Sequence, residues 1–322
     1  MRTLAEATGE PEWSSTILPL IVAEDAICAS TQGMTDTRKQ VAANPIWSIL
    51  HPSINLCDMR SEISALASLR LIDLSVAIEH NAPGELTPPK IQYLDHAAGG
   101  QTIANLFGCR PEDLVYSNGA GWAVENLIAN SHTGTHIDAP YHYGATSAGL
   151  PAKRIDEVPL EWCFGPGVVI DMRHKISGDL ISIEDLETEL HRIGYELNPG
   201  DIVLIHTGAD KRWGTKEYLL QPGLNRESTL WLVDQGVHMI GIDAWTLDRP
   251  FASMAEDFKK TGDGRVIWPA HYAGLTKEYC QIEKLANLDR LPAPFGFYVS
   301  CLPVKIKGAS AGWCRAVALV PG

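Results

Sequence analysis

The stretch SHTGTHIDAPYHY, residues 131–143, places three histidines and one aspartate within a short segment of the chain. The four side chains are His132, His136, Asp138 and His142, and all fall on even positions. A fully extended chain would direct them to one side, because successive side chains of a strand alternate between its two faces. Imidazole nitrogens and a carboxylate suit zinc or manganese ions. The stretch therefore predicts a catalytic metal site.

The residues of this stretch argue against a helix of the kind that carries HExxH zinc sites. The Thr-Gly-Thr between the first two histidines is a poor helix former, no glutamate base is present, and Pro140 follows within a turn. In an extended segment His136 and Asp138 would lie about 6.6 Å apart, whereas the first and last histidines would be separated by about 33 Å. Gly134 and Pro140 can bend the chain. We expect a strand, a turn and an irregular segment.

The composition is that of an ordinary globular protein. The chain has 322 residues, of which 45% are hydrophobic and 20% charged, enough for a sizeable core. Its formal net charge of −13 argues against a nucleic acid or an anionic membrane as a partner, because both require a basic surface. The sequence therefore favours a small-molecule substrate.

The cysteine pattern and the first apolar run bear on the cellular compartment. The seven cysteines are scattered, odd in number and form no CxxC pair, which favours reduced thiols in a cytoplasmic protein. The run ILPLIVA, residues 17–23, is too short to span a bilayer. Because acidic residues follow it directly and no basic run precedes it, we expect no signal peptide.

Strand-like and helix-like segments alternate along most of the chain, which predicts an α/β fold with a mixed sheet. Strands are predicted at 69–78, 167–173, 201–208, 238–245 and 295–306. Helices are predicted at 182–194 and 225–237. Ser182 is placed to cap the first helix, Asp185 to close a capping box, and Gly194 to end it.

The first part of the chain differs from the rest. Up to about residue 65 there are few strand-like runs, and the composition suggests short helices and loops. We therefore expect an N-terminal helical and loop arm at 1–65, followed by one domain at 66–322.

Residues 132–142, HTGTHIDAPYH, strongly resemble the signature of the metal-dependent cyclase-like hydrolases, which include the bacterial kynurenine formamidases and the isatin hydrolases. The resemblance extends from about residue 70 to the C-terminus. It includes the segments IDLS, GVVIDMR, GDIVLIHTG, GIDAWTLD, IEKLANLDRLP and CLPVKIKGASAGWCRAVAL. It implies a swivelling β/β/α domain with a mixed sheet, and assembly as a homodimer or homotetramer.

The resemblance also implies roles for individual residues. The first three ligand-type residues of the stretch match the ligands of one metal ion, zinc or manganese. Where a second ion is present, Asp138 would bridge to it together with His271 and Glu283, which are twelve residues apart as in the family. Glu283 is alternatively a hydrogen-bond partner of a ligand histidine. His142 matches the residue assigned to proton transfer.

Two departures from the family bear on the substrate. Kynurenine formamidases carry Trp-Pro-Gly shortly after the first strand, whereas this chain has Ala-Pro-Gly, with Ala82 in the first position. A segment at 251–270, rich in aromatic and charged residues, is additional, and we expect a loop over the pocket. Trp245, Phe251 and Trp268 are candidates to line the pocket with aromatic rings. These departures favour a substrate with a planar or bulky ring other than N-formylkynurenine.

Three further polar residues stand at predicted strand ends. For His206 we expect a hydrogen-bonded histidine in the core or at the rim of the site. For Asp243 and Asp248 we expect a structural role.

The expected activity is hydrolysis of a carbon–nitrogen bond in an amide, formamide or lactam by a metal-activated water. A lactonase or a dehydrating cyclase that uses the same ion as a Lewis acid is an alternative. A third alternative is a non-enzymatic relative that has kept the metal site.

Overall fold

The computed structural model describes residues 68–322, and the predicted arm at 1–65 lies outside them. The strands of the described part are β1 (Arg70–Asp73), β2 (Lys90–Leu94), β3 (Val124–Ile128), β4 (His136–Asp138), β5 (Thr146–Ser147), β6 (Leu150–Pro151), β7 (Phe164–Asp171), β8 (Leu180–Ile181), β9 (Ile202–His206), β10 (Gly223–Leu224), β11 (Met239–Ile242), β12 (Cys280–Glu283), β13 (Phe297–Ser300), β14 (Ala311–Trp313) and β15 (Val317–Val320). Its helices are α1 (His96–Phe107), α2 (Pro140–Tyr143), α3 (Ile183–Ile193), α4 (Arg226–Asp234), α5 (Phe251–Thr261) and α6 (Pro269–Ala273).

Nine of these strands form one mixed sheet in the order β1-β15-β13-β7-β9-β11-β12-β4-β14. Strands β7, β9, β11 and β12 are parallel neighbours, and the other pairs are antiparallel. Ser75, just after β1, bridges to Leu285, just after β12, although five strands separate β1 from β12 in the sheet. The sheet is therefore curled, because the chain that follows its first strand contacts the chain at the end of its seventh strand.

Both faces of the central strands are buried. In β9, Val203 and Ile205 pack with α3, α4 and α6 in one cluster, whereas Ile202 and Leu204 face a second cluster on the opposite side. Continuous apolar runs are typical of parallel strands that are covered on both faces. The central strands predicted from the sequence are confirmed, and the one predicted at 295–306 is shorter, at Phe297–Ser300.

The two predicted helices are confirmed as α3 and α4. The Ser182 hydroxyl accepts a hydrogen bond from the backbone N–H of Asp185, whose carboxylate accepts one from the backbone N–H of Ser182. Gly194 ends α3 in the left-handed conformation, with φ of 68°, where glycine has no steric penalty.

The segment at 251–270 is helical, and the prediction of a loop is wrong. Phe251, Met254 and Phe258 recur at helical spacing in α5, and Gly262, with φ of 67°, ends the helix. Met254 is buried, and its sulfur accepts a hydrogen bond from the backbone N–H of Trp268. The segment is therefore tied to the residues that begin α6.

Residues 90–128, which we call the hairpin unit, stand apart from the main sheet. Strands β2 and β3 pair only with each other, and α1 packs on the chain that leads into β3. Its exposed large apolar side chains are Tyr93, Leu106, Phe107, Val115, Tyr116, Trp122, Val124, Leu127 and Ile128. A two-stranded hairpin alone is marginally stable in water, and large exposed apolar surfaces are typical of interaction sites.

None of the helices in residues 68–322 combines the length and the apolar character needed to cross a membrane.

Because the family resemblance implies a homodimer or homotetramer, we propose that the hairpin unit is covered by a second copy of this chain. Light scattering of the intact protein should then give the mass of a dimer or tetramer. Ile128→Lys should shift the protein towards the monomer, because it places a charge in the apolar surface of β3. Ile176→Lys is the matched control, since Ile128 and Ile176 are 73% and 71% exposed and Ile176 lies in a turn elsewhere. A monomeric intact protein would contradict the proposal.

Candidate metal centre

The centre is built on β4, which lies between β12 and β14 in the sheet. His136 and Asp138 are two residues apart on a strand and so point to the same face. Across the β4–β12 pair, Glu283 lies directly opposite His136. This register brings Glu283 Oε2 to 3.6 Å from His136 Nε2, and His136 Nε2 is 3.2 Å from Asp138 Oδ1. Sheet pairing therefore assembles the buried half of the centre.

The turn before β4 adds His132. Gly134 has φ of 62°, a left-handed conformation that suits glycine and lets the chain reverse. His132 Nδ1 thereby lies 2.7 Å from Asp138 Oδ1 and 3.3 Å from His136 Nε2. The other ring nitrogen of His132 is 3.2 Å from the Ser310 hydroxyl.

The two remaining histidines come from single helical turns. His142, in α2, has Nε2 at 4.0 Å from Asp138 Oδ2, and its ring centroid is 4.2 Å from that of His132. His271, in α6, has Nε2 at 3.7 Å from both Asp138 Oδ2 and Glu283 Oε1. The bend expected at Pro140 is present, but the segment after it is a helical turn and not irregular chain. The structure thus brings together all six residues expected in the centre from the sequence.

Each of the two buried histidines, His136 and His271, is oriented by a hydrogen bond from the ring nitrogen that faces away from the centre. His136 Nδ1 donates a hydrogen bond of 2.8 Å to the carbonyl of Gly134. His271 Nδ1 donates one of 2.5 Å to Asp248 Oδ2. In the neutral form of both rings Nε2 carries no proton and faces the centre, which is the arrangement found in histidines that bind metals.

The donor set fits a divalent cation. Asp138 is fully buried, and within residues 68–322 the nearest polar groups to its carboxylate are imidazole nitrogens at 2.7 to 4.0 Å, which do not meet it in hydrogen-bond geometry. A buried carboxylate is costly unless a positive charge or hydrogen bonds compensate it. The separations of Glu283 from His136 and His271 exceed a hydrogen bond, which fits groups arranged around an ion better than groups paired with each other.

Burial and the close carboxylates shift the pKa values of the groups in the centre in different directions. Burial alone would lower the pKa of His271, but its hydrogen bonds with Asp138 and Asp248 raise it to about 10. Burial penalises the charged form of Asp138, but the surrounding imidazoles outweigh this penalty and hold its pKa well below the ordinary value. Burial and the neighbouring Asp138 carboxylate raise the pKa of Glu283. Burial lowers the pKa of His142 to about 4, so that its imidazole is neutral near pH 7. The site therefore offers a carboxylate beside a neutral imidazole that can accept a proton.

Of the four residues expected to line a pocket, Trp268 lies against the centre. Its ring stacks on His271 with centroids 4.2 Å apart, and its centroid is 5.4 Å from that of His142. Trp268 has φ of 54°, which is strained for a large side chain and is often found at functional sites. Trp245 and Phe251 pack on each other, with centroids 4.9 Å apart, and Ala82 is buried.

The aspartates expected to be structural have different partners. Asp243 accepts three hydrogen bonds, from the hydroxyl and backbone N–H of Thr207 and from the backbone N–H of Gly208, and so stabilises that turn. Asp248, in contrast, orients His271 in the centre, a contact that its sequence neighbourhood did not indicate. His206 is buried with Asp243 in a separate cluster, in agreement with a core position, and within residues 68–322 its Nε2 has no hydrogen-bond partner.

Comparison with known proteins defines the class. Residues 72–249, more than half of the chain, match the sequence model of the cyclase family, described as "Putative cyclase". An isatin hydrolase from Roseibium aggregatum is 28% identical over 221 residues, which cover 64% of this chain and 78% of the relative. A kynurenine formamidase from Salinibacter ruber is 27% identical over 196 residues, covering 60% and 77%. The solved structure of isatin hydrolase A from Ralstonia solanacearum superposes with a TM-score of 0.62 at 24% identity, covering 83% and 98%.

The chain belongs to the cyclase family, and its fold is the predicted cyclase-like α/β fold. It is an enzyme of the hydrolase class, as these relatives are.

Proposed function

We propose that the protein is a metal-dependent hydrolase that cleaves a carbon–nitrogen bond in an amide, formamide or lactam. The observation that carries the proposal is the buried Asp138 carboxylate, which is surrounded by the nitrogens of four imidazoles at 2.7 to 4.0 Å. The similarity to a formamidase and to an isatin hydrolase supports this bond type.

In the proposed mechanism, His132, His136 and Asp138 would hold one divalent ion, and Asp138, His271 and Glu283 would hold a second. A bound zinc or manganese ion would polarise the scissile carbonyl and lower the pKa of a coordinated water to about 7. The burial of Asp138 and Glu283 strengthens their interaction with the ion, because the site excludes most of the competing water.

His142 is the residue we assign to proton transfer. Its side chain is 22% exposed and that of His132 is 26% exposed, so that these two imidazoles border the open side of the centre. The neutral imidazole of His142 accepts a proton from the attacking water and returns it to the departing nitrogen. An amide nitrogen requires this proton in order to leave, and general acid–base catalysis of this kind contributes about 10²- to 10⁴-fold in rate.

The pocket is proposed to accept a substrate with a planar or bulky ring. Trp268 presents an aromatic ring beside His142, in a position held by the sulfur of Met254 in α5. Because Ala82 replaces the tryptophan of kynurenine formamidases, the aromatic contact comes from the side of α5 and α6 instead. N-formylkynurenine should therefore be a poor substrate.

Metal dependence and bond type are tested with protein purified without added metal. Elemental analysis should find zinc or manganese, and activity lost on chelation should return when one of them is added back. We expect the protein to cleave members of a panel of formanilides, isatins and cyclic imides. Turnover confined to aryl lactones, or loss of water from a substrate, would favour the lactonase or the dehydrating cyclase.

His142→Ala should lower kcat by about 10²- to 10⁴-fold, because the leaving nitrogen loses its proton donor. The metal content should stay that of the intact protein, as measured by elemental analysis. His174→Ala is the control, because His174 is an exposed histidine in a turn away from the centre. An active His142→Ala variant would exclude the assigned role.

Deletion of residues 252–266 should raise KM for a ring substrate by roughly five- to tenfold, because loss of an aromatic contact costs on the order of 1 kcal/mol. The deletion removes the hydrogen bond between Met254 and Trp268 but none of the proposed ligands. Metal affinity should therefore change little. Lys260→Ala, on the exposed side of α5, serves as a control. An unchanged KM, or efficient turnover of N-formylkynurenine by the intact protein, would refute the assignment of the pocket.

A further inference from the structure

A buried ion pair lies behind the turn that carries His132. Lys284 Nζ donates a hydrogen bond of 2.5 Å to Glu85 Oε2, and both side chains are only 5% exposed. The two residues are 199 positions apart in the chain. Neither residue is among the six side chains that converge on the centre, and the proposed mechanism does not use them.

Both partners also bind the backbone of the turn at residues 132–135. Lys284 Nζ donates a second hydrogen bond, of 2.8 Å, to the carbonyl of His132. Glu85 Oε1 accepts a hydrogen bond of 2.7 Å from the backbone N–H of Gly134. The hydroxyl of Thr135 donates one of 2.5 Å to the carbonyl of Lys284. Three residues of the turn are thus fixed by this pair.

These contacts continue to the imidazoles of the centre. Gly134 donates its N–H to Glu85, and its carbonyl accepts the hydrogen bond from His136 Nδ1. Lys284 holds the carbonyl of His132 and directly follows Glu283 in the chain. The pair therefore links the end of β12 to the turn and fixes the geometry between three of the proposed ligands.

Stability alone does not account for these residues. The desolvation penalty of a buried ion pair offsets much of its attraction, and apolar residues of similar volume are often as stable. Lys284 also has φ of 60°, a backbone conformation that glycine or asparagine adopts at lower cost. The hydrogen bonds that its ammonium group donates to Glu85 and to the carbonyl of His132 account for a lysine at this position.

We propose that the Lys284–Glu85 pair is a positioning device that holds the turn at residues 132–135 in its metal-binding geometry. The proposal rests on the proposed function, in which His132 and His136 bind a divalent ion. Removal of groups that orient metal ligands typically weakens metal affinity about 10- to 100-fold.

The test compares Lys284→Met, Glu85→Gln and the double variant, each as the full chain. In Lys284→Met the Glu85 carboxylate is left buried without its partner, so this variant should lose stability as well as metal affinity. The double variant contains no buried charge at this position and should recover stability. Because it still lacks the hydrogen bond to the His132 carbonyl, its affinity for Mn²⁺ and Zn²⁺ should remain about 10- to 100-fold weaker than that of the intact protein.

Metal affinity is measured by competition with a chelating dye, and the stability of the metal-free protein by thermal unfolding. Lys175→Met is the matched control, because it breaks the ion pair between Lys175 and Asp185, which lies outside the centre. The two side chains of that pair are 19% and 21% exposed. This variant should leave metal affinity unchanged.

The outcomes separate the two proposals. A folded double variant with the metal affinity of the intact protein would overturn the positioning role while leaving the proposed function intact. Failure of the intact protein to bind Mn²⁺ or Zn²⁺ would overturn both. If Lys284→Met does not fold, Glu85→Gln and the double variant decide the question.

Discussion

The buried carboxylate of Asp138 is the constraint on which the centre depends. Both of its oxygens are removed from water, so that its negative charge requires compensation by nearby donors or positive charge. Four imidazoles surround it, and in the two buried ones a hydrogen bond donated by the far nitrogen turns the near nitrogen inward. A divalent ion meets the requirements of the carboxylate and of the imidazoles together, which is why we assign the site to a metal-dependent hydrolase.

The curled sheet makes this arrangement possible. The pairing of β4 with β12 sets Glu283 opposite His136, and a slip of one residue in register would turn Glu283 to the other face. The chain after β1 reaches the chain after β12, which brings the residues that follow both strands close to the turn before β4. Strands that are distant in the sheet order thereby meet behind the centre, where Glu85 and Lys284 form their ion pair.

The two sides of the centre serve different purposes. On the buried side, backbone and ion-pair contacts hold the proposed ligands in place. On the open side, His142 and Trp268 face the space where a substrate would lie, and the additional helix α5 supports Trp268 through Met254.

The sequence by itself determined the ligand-type residues, the central strands and the two amphipathic helices, because each depends on local spacing or on a motif of neighbouring residues. His271 and Glu283 were found only through the family resemblance, since their distance from residue 132 gives no physical signal. The contacts of Asp248 with His271 and of Lys284 with Glu85 could not be predicted, because they join residues that only the curled sheet brings together. Tertiary structure alone decided which buried charges meet, since a side chain's partner across the sheet is set by strand register and not by its neighbours in the chain.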